Sequence, residues 1–373
     1  MPDSVRLVES LDTIPADAWD RLHDGNPTLA HAFLDSLHRT GCASPATGWS
    51  PQYLTLWEGH ALVGAVPLYA KAHSYGEYVF DWAWADAYER HGIAYYPKLL
   101  AAVPFTPATG PRLMAASEAI RAGLVQALLD RARREDVSSL HVLFPAAADA
   151  AVLRRAGFLE RTGVQFHWRN PGYATFEDFL AAFSHDKRKK IRQERRKVAD
   201  AGVVLRRVTG REASEADWDF FTACYRRTYR EHRSTPYLTR EFFAMIAQRM
   251  PDSVLLVIAE RDGRPIASAF DLFSPAALYG RYWGAIEYVP GLHFEACYYQ
   301  AIEFAIERGI SLVEGGAQGE HKHARGFLPE KTRSFHWLAH PAFARAIDDY
   351  LAREGAGIAA YVDELNERSP FRD

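Results

Sequence analysis

Val254-Leu-Leu-Val-Ile-Ala-Glu-Arg-Asp-Gly-Arg-Pro-Ile-Ala-Ser-Ala-Phe-Asp-Leu-Phe273 is the stretch on which the fold turns. Two apolar runs, residues 254–260 and 265–273, flank Arg261-Asp-Gly263. An Asp-Gly pair between such runs predicts a tight hairpin, because both residues tolerate positive φ. Working outward, residues 279–288 predict a third strand, 293–308 a helix closed by Gly309, and 310–313 a further strand. The first half follows much the same order. Strands are expected at 52–56 and 61–70 around Glu58-Gly-His60, then at 78–84 and 95–100, with a helix at 116–134 and a strand at 140–144. Short helices are expected at 19–22, 32–40 and 148–155. Trp57-Glu-Gly-His-Ala-Leu-Val-Gly-Ala65 matches Glu260-Arg-Asp-Gly-Arg-Pro-Ile-Ala-Ser-Ala269 in pattern rather than identity. That repetition predicts an α/β chain of two similar domains.

Between the halves, residues 176–200 read as one helix, with an apolar stripe of Phe176, Phe179, Leu180 and Phe183. Eight Lys or Arg then fall between Lys187 and Lys197, offset only by Asp186 and Glu194. Asn170-Pro-Gly172 just before this helix marks the expected boundary, giving domains 1–169 and 170–373.

The chain has 373 residues, 48% hydrophobic and 24% charged, the profile of a globular protein long enough for two domains. Its formal net charge of −3 means that any polyanion must be met by a local patch. Cys42, Cys224 and Cys297 are few, odd in number and widely spaced, which argues against a disulfide framework and for a reducing compartment. The N-terminus carries acids where a signal peptide is apolar, and no run approaches the ~18 apolar residues of a membrane span. A cytoplasmic location is expected.

The densest chemistry lies in Gly315-Gly-Ala-Gln-Gly-Glu-His-Lys-His-Ala-Arg-Gly-Phe327, directly after a predicted strand. Four glycines let the backbone approach a ligand, and Glu320, His321 and Lys322 supply a base, an acid and a cation. A solvated turn seldom needs that concentration of ionisable groups. His293, Glu295 and Cys297 sit at a helix start, where the dipole favours anions. A thiolate at Cys297 beside His293 is one conceivable nucleophile, a buried structural thiol the commoner case. His321/His323 and His336/His340 are suggestive of a metal, but no His-Glu-x-x-His or cysteine pair supports one, and no metal is expected.

Several segments carry a resemblance. They are Ala87-Tyr-Glu-Arg-His-Gly92, Tyr95-Tyr-Pro-Lys98, Pro104-Phe-Thr-Pro-Ala-Thr-Gly-Pro-Arg112 and Gln165-Phe-His-Trp168. Lys187-Arg-Lys-Lys-Ile-Arg192, Arg281-Tyr-Trp-Gly284, Leu292-His-Phe-Glu-Ala-Cys-Tyr-Tyr-Gln300 and Gly316-Ala-Gln-Gly-Glu-His-Lys322 continue it. Together they resemble the FemA/FemB-like predicted N-acyltransferases of the peptidoglycan biosynthesis/recognition type, within the GCN5-related N-acetyltransferase superfamily. The resemblance implies tandem acetyltransferase-like α/β domains, each a mixed twisted sheet flanked by helices, with a substrate cleft between them. It departs in two places: the superfamily's pyrophosphate loop, Gln/Arg-x-x-Gly-x-Gly/Ala, follows neither central strand, and only a single basic helix stands where Fem-type transferases carry a long helical hairpin.

Acyl transfer to an amine needs a proton acceptor, donors for the tetrahedral oxyanion and an acid for the leaving group. Glu320, His321, Lys322, His293 and Glu295 are the candidate catalytic residues. Arg90, His91, Tyr95, Tyr96, Lys98, Thr106 and Arg112 are expected to form a polar pocket wall, with Gln318, Gly319 and Arg325 joining the substrate site. Strand alternation places Arg281 and Trp283 on one face, to clamp a carboxylate and stack a flat group, and Tyr282 on the other. Lys187, Arg188, Lys189 and Arg192 are expected to hold an anionic carrier.

The expected function is N-acyl transfer from an activated donor to a small-molecule or cell-wall-precursor amine by direct attack. No tightly bound cofactor is expected; acyl-CoA, acyl carrier protein or aminoacyl-tRNA would serve as cosubstrate. The alternatives are a non-catalytic cell-wall or lipid-precursor recognition protein and a tRNA-dependent aminoacyl ligase.

Overall fold

The computed structural model describes residues 4–317 and 319–372. The chain forms two compact units, Met1–Val164 with Lys331–Tyr361, and Gln165–Glu330 with Val362–Asp373. The first change of unit falls near the expected boundary, whereas Lys331–Tyr361 packs with the first unit and not with the C-terminal half. Sheet pairing explains this: residues 334–338 of the strand Leu328–Leu338 lie antiparallel to Ser139–Leu143, so the chain returns to complete the first unit.

In the first unit, Lys98–Ala101 runs parallel to Ser139–Leu143 and antiparallel to Leu68–Lys71. A separate small sheet joins Ser4–Val8, Tyr53–Glu58, Ala61–Val66 and Met114–Ala115. The expected strand at 61–70 is thus two strands, parted at Pro67, which lacks an N–H for a continuous ladder. The helix Glu118–Arg134 starts at Ser117, whose side chain accepts from the Ile120 N–H, and buries Leu124, Val125, Leu128 and Leu129 in the apolar core. The strand expected at 78–84 is a loop leading into the helix Trp82–Arg90; aromatic residues favour strands in general, but here Trp84 and Tyr88 pack as one face of a helix.

The second unit is a sheet in the order Val203–Thr209, Val254–Arg261, Arg264–Phe273, Ala277–Ala285, Leu312–Glu314 and then residues 165–169. The Asp262-Gly263 hairpin forms with φ of +52° and +70°, the geometry a two-residue turn between twisted strands requires. The helix Glu215–Glu231 opens with a reciprocal cap between Ser214 and Asp217 and lays Trp218, Phe221 and Tyr225 against the sheet. It comes so close that a Cβ at Gly284 would lie 2.2 Å from the Cys224 carbonyl oxygen. The helix expected over 176–200 is two, Phe176–Ala181 and His185–Asp200, interrupted so that Phe179 and Phe183 can both pack inward.

Two irregularities open this sheet on one side. Ala277–Ala285 pairs in parallel with Leu312–Glu314 only through Ala277, Leu278 and Tyr279. Beyond Tyr279 and Glu314 the strands part, since the chain turns away at Gly315-Gly316. On its other edge the same strand has a bulge, pairing Asp271 with Gly280 and Phe270 with Tyr282 and leaving Arg281 as the extra residue.

Candidate active site

A cavity of about 490 Å³ opens where those strands part, and every residue lining it belongs to the second unit. Gly280, Arg281, Tyr282 and Trp283 form one side, and Val313, Glu314, Gly315, Gly316 and Ala317 the other. His293, Cys297 and Tyr298 close it from the helix, and Gly319, His321 and Lys322 from the loop. Because Arg281 is bulged, it leaves the expected alternation: its Nη2 donates to the Tyr282 hydroxyl at 3.3 Å, beside the ring that packs on Tyr225, while Trp283 meets the His293 ring, and all three residues line the cavity. The helical segment spanning residues 292–307 contains a π-helical turn at Glu295–Tyr299, an insertion that turns Cys297 and Tyr298 inward.

Lys322 is buried, at 4% exposure, with Nζ donating to Gly316 O at 3.3 Å. Burial pushes its ammonium down to about 8, which leaves it largely charged near neutral pH. Gly315 makes room for the lysine stem: a Cβ there would sit 3.0 Å from Lys322 Cδ. His321 lies in a short helical turn, Glu320–Arg325, and its Nε2 shares a hydrogen bond of 2.9 Å with the Tyr298 hydroxyl. At Gly319, φ is +114° and a Cβ would meet the His321 ring at 2.6 Å, so this position is closed to a side chain.

The His293 ring lies 5.5 Å from Trp283, 5.3 Å from Tyr298 and 5.9 Å from His321, centroid to centroid. Burial, then the neighbouring His321, Lys322 and Arg325, pushes His293 down to about 4, and burial lowers His321 too, so both imidazoles are neutral at pH 7. The Cys297 thiol is held well above its ordinary value by burial and by the neighbouring Asp271 carboxyl, which rules against a thiolate at neutral pH.

The structure therefore brings His293, His321, Lys322, Gly319, Arg281 and Trp283 together, and adds Asp271, Tyr282, Cys297 and Tyr298. Gln318 lies outside the described residues. Other expected residues stand elsewhere. Glu320 is exposed and does not line the cavity. Glu295 is buried and receives Arg195 Nε and Nη2, both at 3.0 Å. Arg325 braces the loop: it grips Glu194, donates from Nη1 to His321 O at 2.6 Å and stacks over Phe294.

The expected wall of the first unit is interior or peripheral. Lys98 is fully buried, held by Ser74, Glu77 and Asp81, and the Tyr95 hydroxyl donates to Asp81 Oδ2 at 2.6 Å. Arg112 donates to the carbonyls of Gly110 and Ala108, and Thr106 to Pro104 O, so these residues shape their own loop. The Tyr96 hydroxyl bonds Ser74, and Arg90 and His91 are exposed at a helix end, bonding Asp86 O and Ala87 O.

On the basic helix His185–Asp200, Arg192 pairs with Glu177, and Arg195 with Glu295 and Glu303. Lys187, Arg188, Lys189, Lys190, Arg196 and Lys197 form no ion pair among the described residues, and Lys189, Lys190, Arg196 and Lys197 are exposed. No group of His, Cys, Asp and Glu suited to a metal exists among the described residues. No helix there is long and apolar enough to cross a membrane.

A family model, FemAB-like, described as peptidoglycan biosynthesis/recognition, matches residues 10–373. No curated protein matches the chain in sequence. Among solved structures, FemX superposes with a TM-score of 0.57 at 11% identity, covering 90% of this chain and 98% of its own. L-PGS from Bacillus licheniformis gives a TM-score of 0.55 at 9% identity, covering 92% of this chain and 98% of its own. A tandem GNAT protein from the clavulanic acid biosynthesis pathway gives 0.46 at 15% identity, covering 91% and 99%. The fold is thus the one shared with FemX and L-PGS, an α/β architecture with a large mixed sheet flanked by helices.

Proposed function

The chain belongs to the FemAB-like family, and from that premise we propose that it transfers an acyl or aminoacyl group from an activated carrier to an amine, inside the cavity of the second unit. The observation that carries this reading is the cavity itself, which holds a buried lysine and two neutral histidines at the place where two strands part. The acceptor amine attacks the acyl carbonyl directly, forming the C–N bond. The tetrahedral oxyanion is met by Lys322 Nζ, and His293 or His321 takes the proton that the attacking nitrogen loses. Collapse breaks the bond to the carrier, which leaves with a proton. No covalent enzyme intermediate is required, in keeping with the raised Cys297 thiol.

The cations of the basic helix that lack ion pairs among the described residues favour an anionic carrier, such as a tRNA or a CoA nucleotide. The family description supports a peptidoglycan precursor as the source of the amine. The test is to incubate the protein with aminoacyl-tRNA or acyl-CoA and a peptidoglycan-precursor peptide, and to read the peptide's mass. An added acyl or aminoacyl mass that disappears in the His293→Ala/His321→Ala double variant is expected. Tight binding of the precursor with no mass added from any donor would replace the transferase with a recognition protein.

A further inference from the structure

The strand Arg264–Phe273 is buried along almost its whole length, and one acid interrupts its apolar run. Asp271 is 2% exposed, its Oδ2 has no hydrogen-bond partner, and it enters no ion pair among the described residues. An isolated carboxyl in such a place costs stability and contributes nothing to packing that Asn or Leu would not. It is not walled off, however: Asp271 lines the cavity. Gly280 faces it across the bulge, and a Cβ there would stand 3.6 Å from Asp271 Oδ1 and 3.4 Å from Glu314 O. The missing side chain leaves a small space between two oxygen acceptors. Lys322, the cation of the loop that lines the same cavity, donates to Gly316 O. What suits such a space is a compact group with several donors and a positive charge, and a primary ammonium has three N–H donors and no acceptor.

We infer that Asp271 receives a primary ammonium of the ligand in this cavity. The inference rests on reading the cavity as the substrate site. The ammonium has two possible sources with the same chemistry, the α-ammonium of an aminoacyl group on the donor and the ammonium form of the acceptor amine. Asp271 is then the residue that separates cationic from neutral ligands.

The test is binding of small probes to the full chain by calorimetry or ligand-observed NMR. L-alaninamide carries an ammonium; propionamide has the same skeleton without it. Wild-type protein is expected to bind alaninamide at least tenfold more tightly, and Asp271→Asn, which keeps shape and burial, to lose that preference while melting normally. Gly280→Ala, which fills the space but leaves the carboxyl, should weaken alaninamide more than propionamide. A third probe, n-butylamine, separates the sources: binding as tight as alaninamide points to the acceptor amine, and preference for alaninamide to the aminoacyl group. Equal binding of the two amides by the wild type, no binding of either, or a preference that survives in Asp271→Asn overturns the inference. Transfer from an acyl donor in the precursor assay with no ammonium preference would sink this inference alone; ammonium preference without transfer from any donor would sink the transferase reading alone.

Discussion

Lys322 is a charged group kept where water is scarce, and the fold bears the cost. Its ammonium is pushed from its ordinary value down to about 8 by burial, so the charged form is disfavoured in the folded state. The sign follows: this destabilisation is present in full below about pH 8 and fades as pH rises towards the unfolded value. Lys322→Met is therefore expected to raise thermal stability at pH 7, on the order of 1–3 kcal/mol, while lowering kcat about a hundredfold. A purely structural lysine would lower both. The same groups set the pH profile. Lys322 stays charged up to about 8, so kcat/KM should fall above pH 8; with His293, neutral down to about 4, as the base, it should be level from about pH 5 to 7.5. Lys322→Arg should move that alkaline limb beyond about pH 10, because a guanidinium does not deprotonate there. An unmoved limb assigns it to another group.

At the scale of elements, the cavity is made by three departures from regularity: a strand pair that stops after three residues, a bulge at Arg281 and a π-helical turn at Glu295–Tyr299. The hairpin at Asp262-Gly263 was legible because positive φ has a residue signature. The bulge and the π turn have none, so simple alternation pairs Arg281 with Trp283, whereas the bulge sets it beside Tyr282. Asp271 does leave a signal in the sequence, a single acid in an otherwise apolar strand. The basic run was plain to read, but its division of labour was not. Arg192 and Arg195 serve ion pairs within the unit, and only the structure separates them from the exposed Lys189, Lys190, Arg196 and Lys197. Reversing Lys189, Lys190 and Lys197 to Glu should weaken tRNA binding and flatten the slope of log affinity against log salt by about 2–3, as three lost phosphate contacts would. Arg195→Glu should instead lower the melting temperature, since it strips Glu295 and Glu303 of their partner. If the triple reversal leaves the slope unchanged, the helix face is merely solvated.

At the scale of the molecule, the order of predicted elements suggests two similar halves, yet the return of Lys331–Tyr361 to the first unit leaves no trace in the sequence, because strand partners far apart in sequence carry no local mark. The same blindness to long-range partners explains Lys98. Beside two tyrosines and a proline it reads as a pocket residue, whereas it is the buried cation that neutralises Glu77 and Asp81. Burial raises the Asp81 carboxyl and Lys98 more than reverses this, holding it well below the usual range, while burial prevails at Glu77 and pushes it up to about 7. Removing the lysine leaves both acids in an apolar setting with too little positive charge. Lys98→Met should therefore cost about 3–5 kcal/mol at neutral pH, the scale of a broken buried pair. The acids can escape only by taking up protons in the folded state, where their pKa values then exceed those of the unfolded chain. With more protons bound folded than unfolded, the variant's stability rises as pH falls through that range. Melting curves should thus show a large deficit against wild type at about pH 8 and a smaller one at about pH 5, and adding Asp81→Asn and Glu77→Gln to Lys98→Met should recover part of the loss at the higher pH. A deficit equal at both pH values would mean that Lys98 acts through its packed stem rather than its charge.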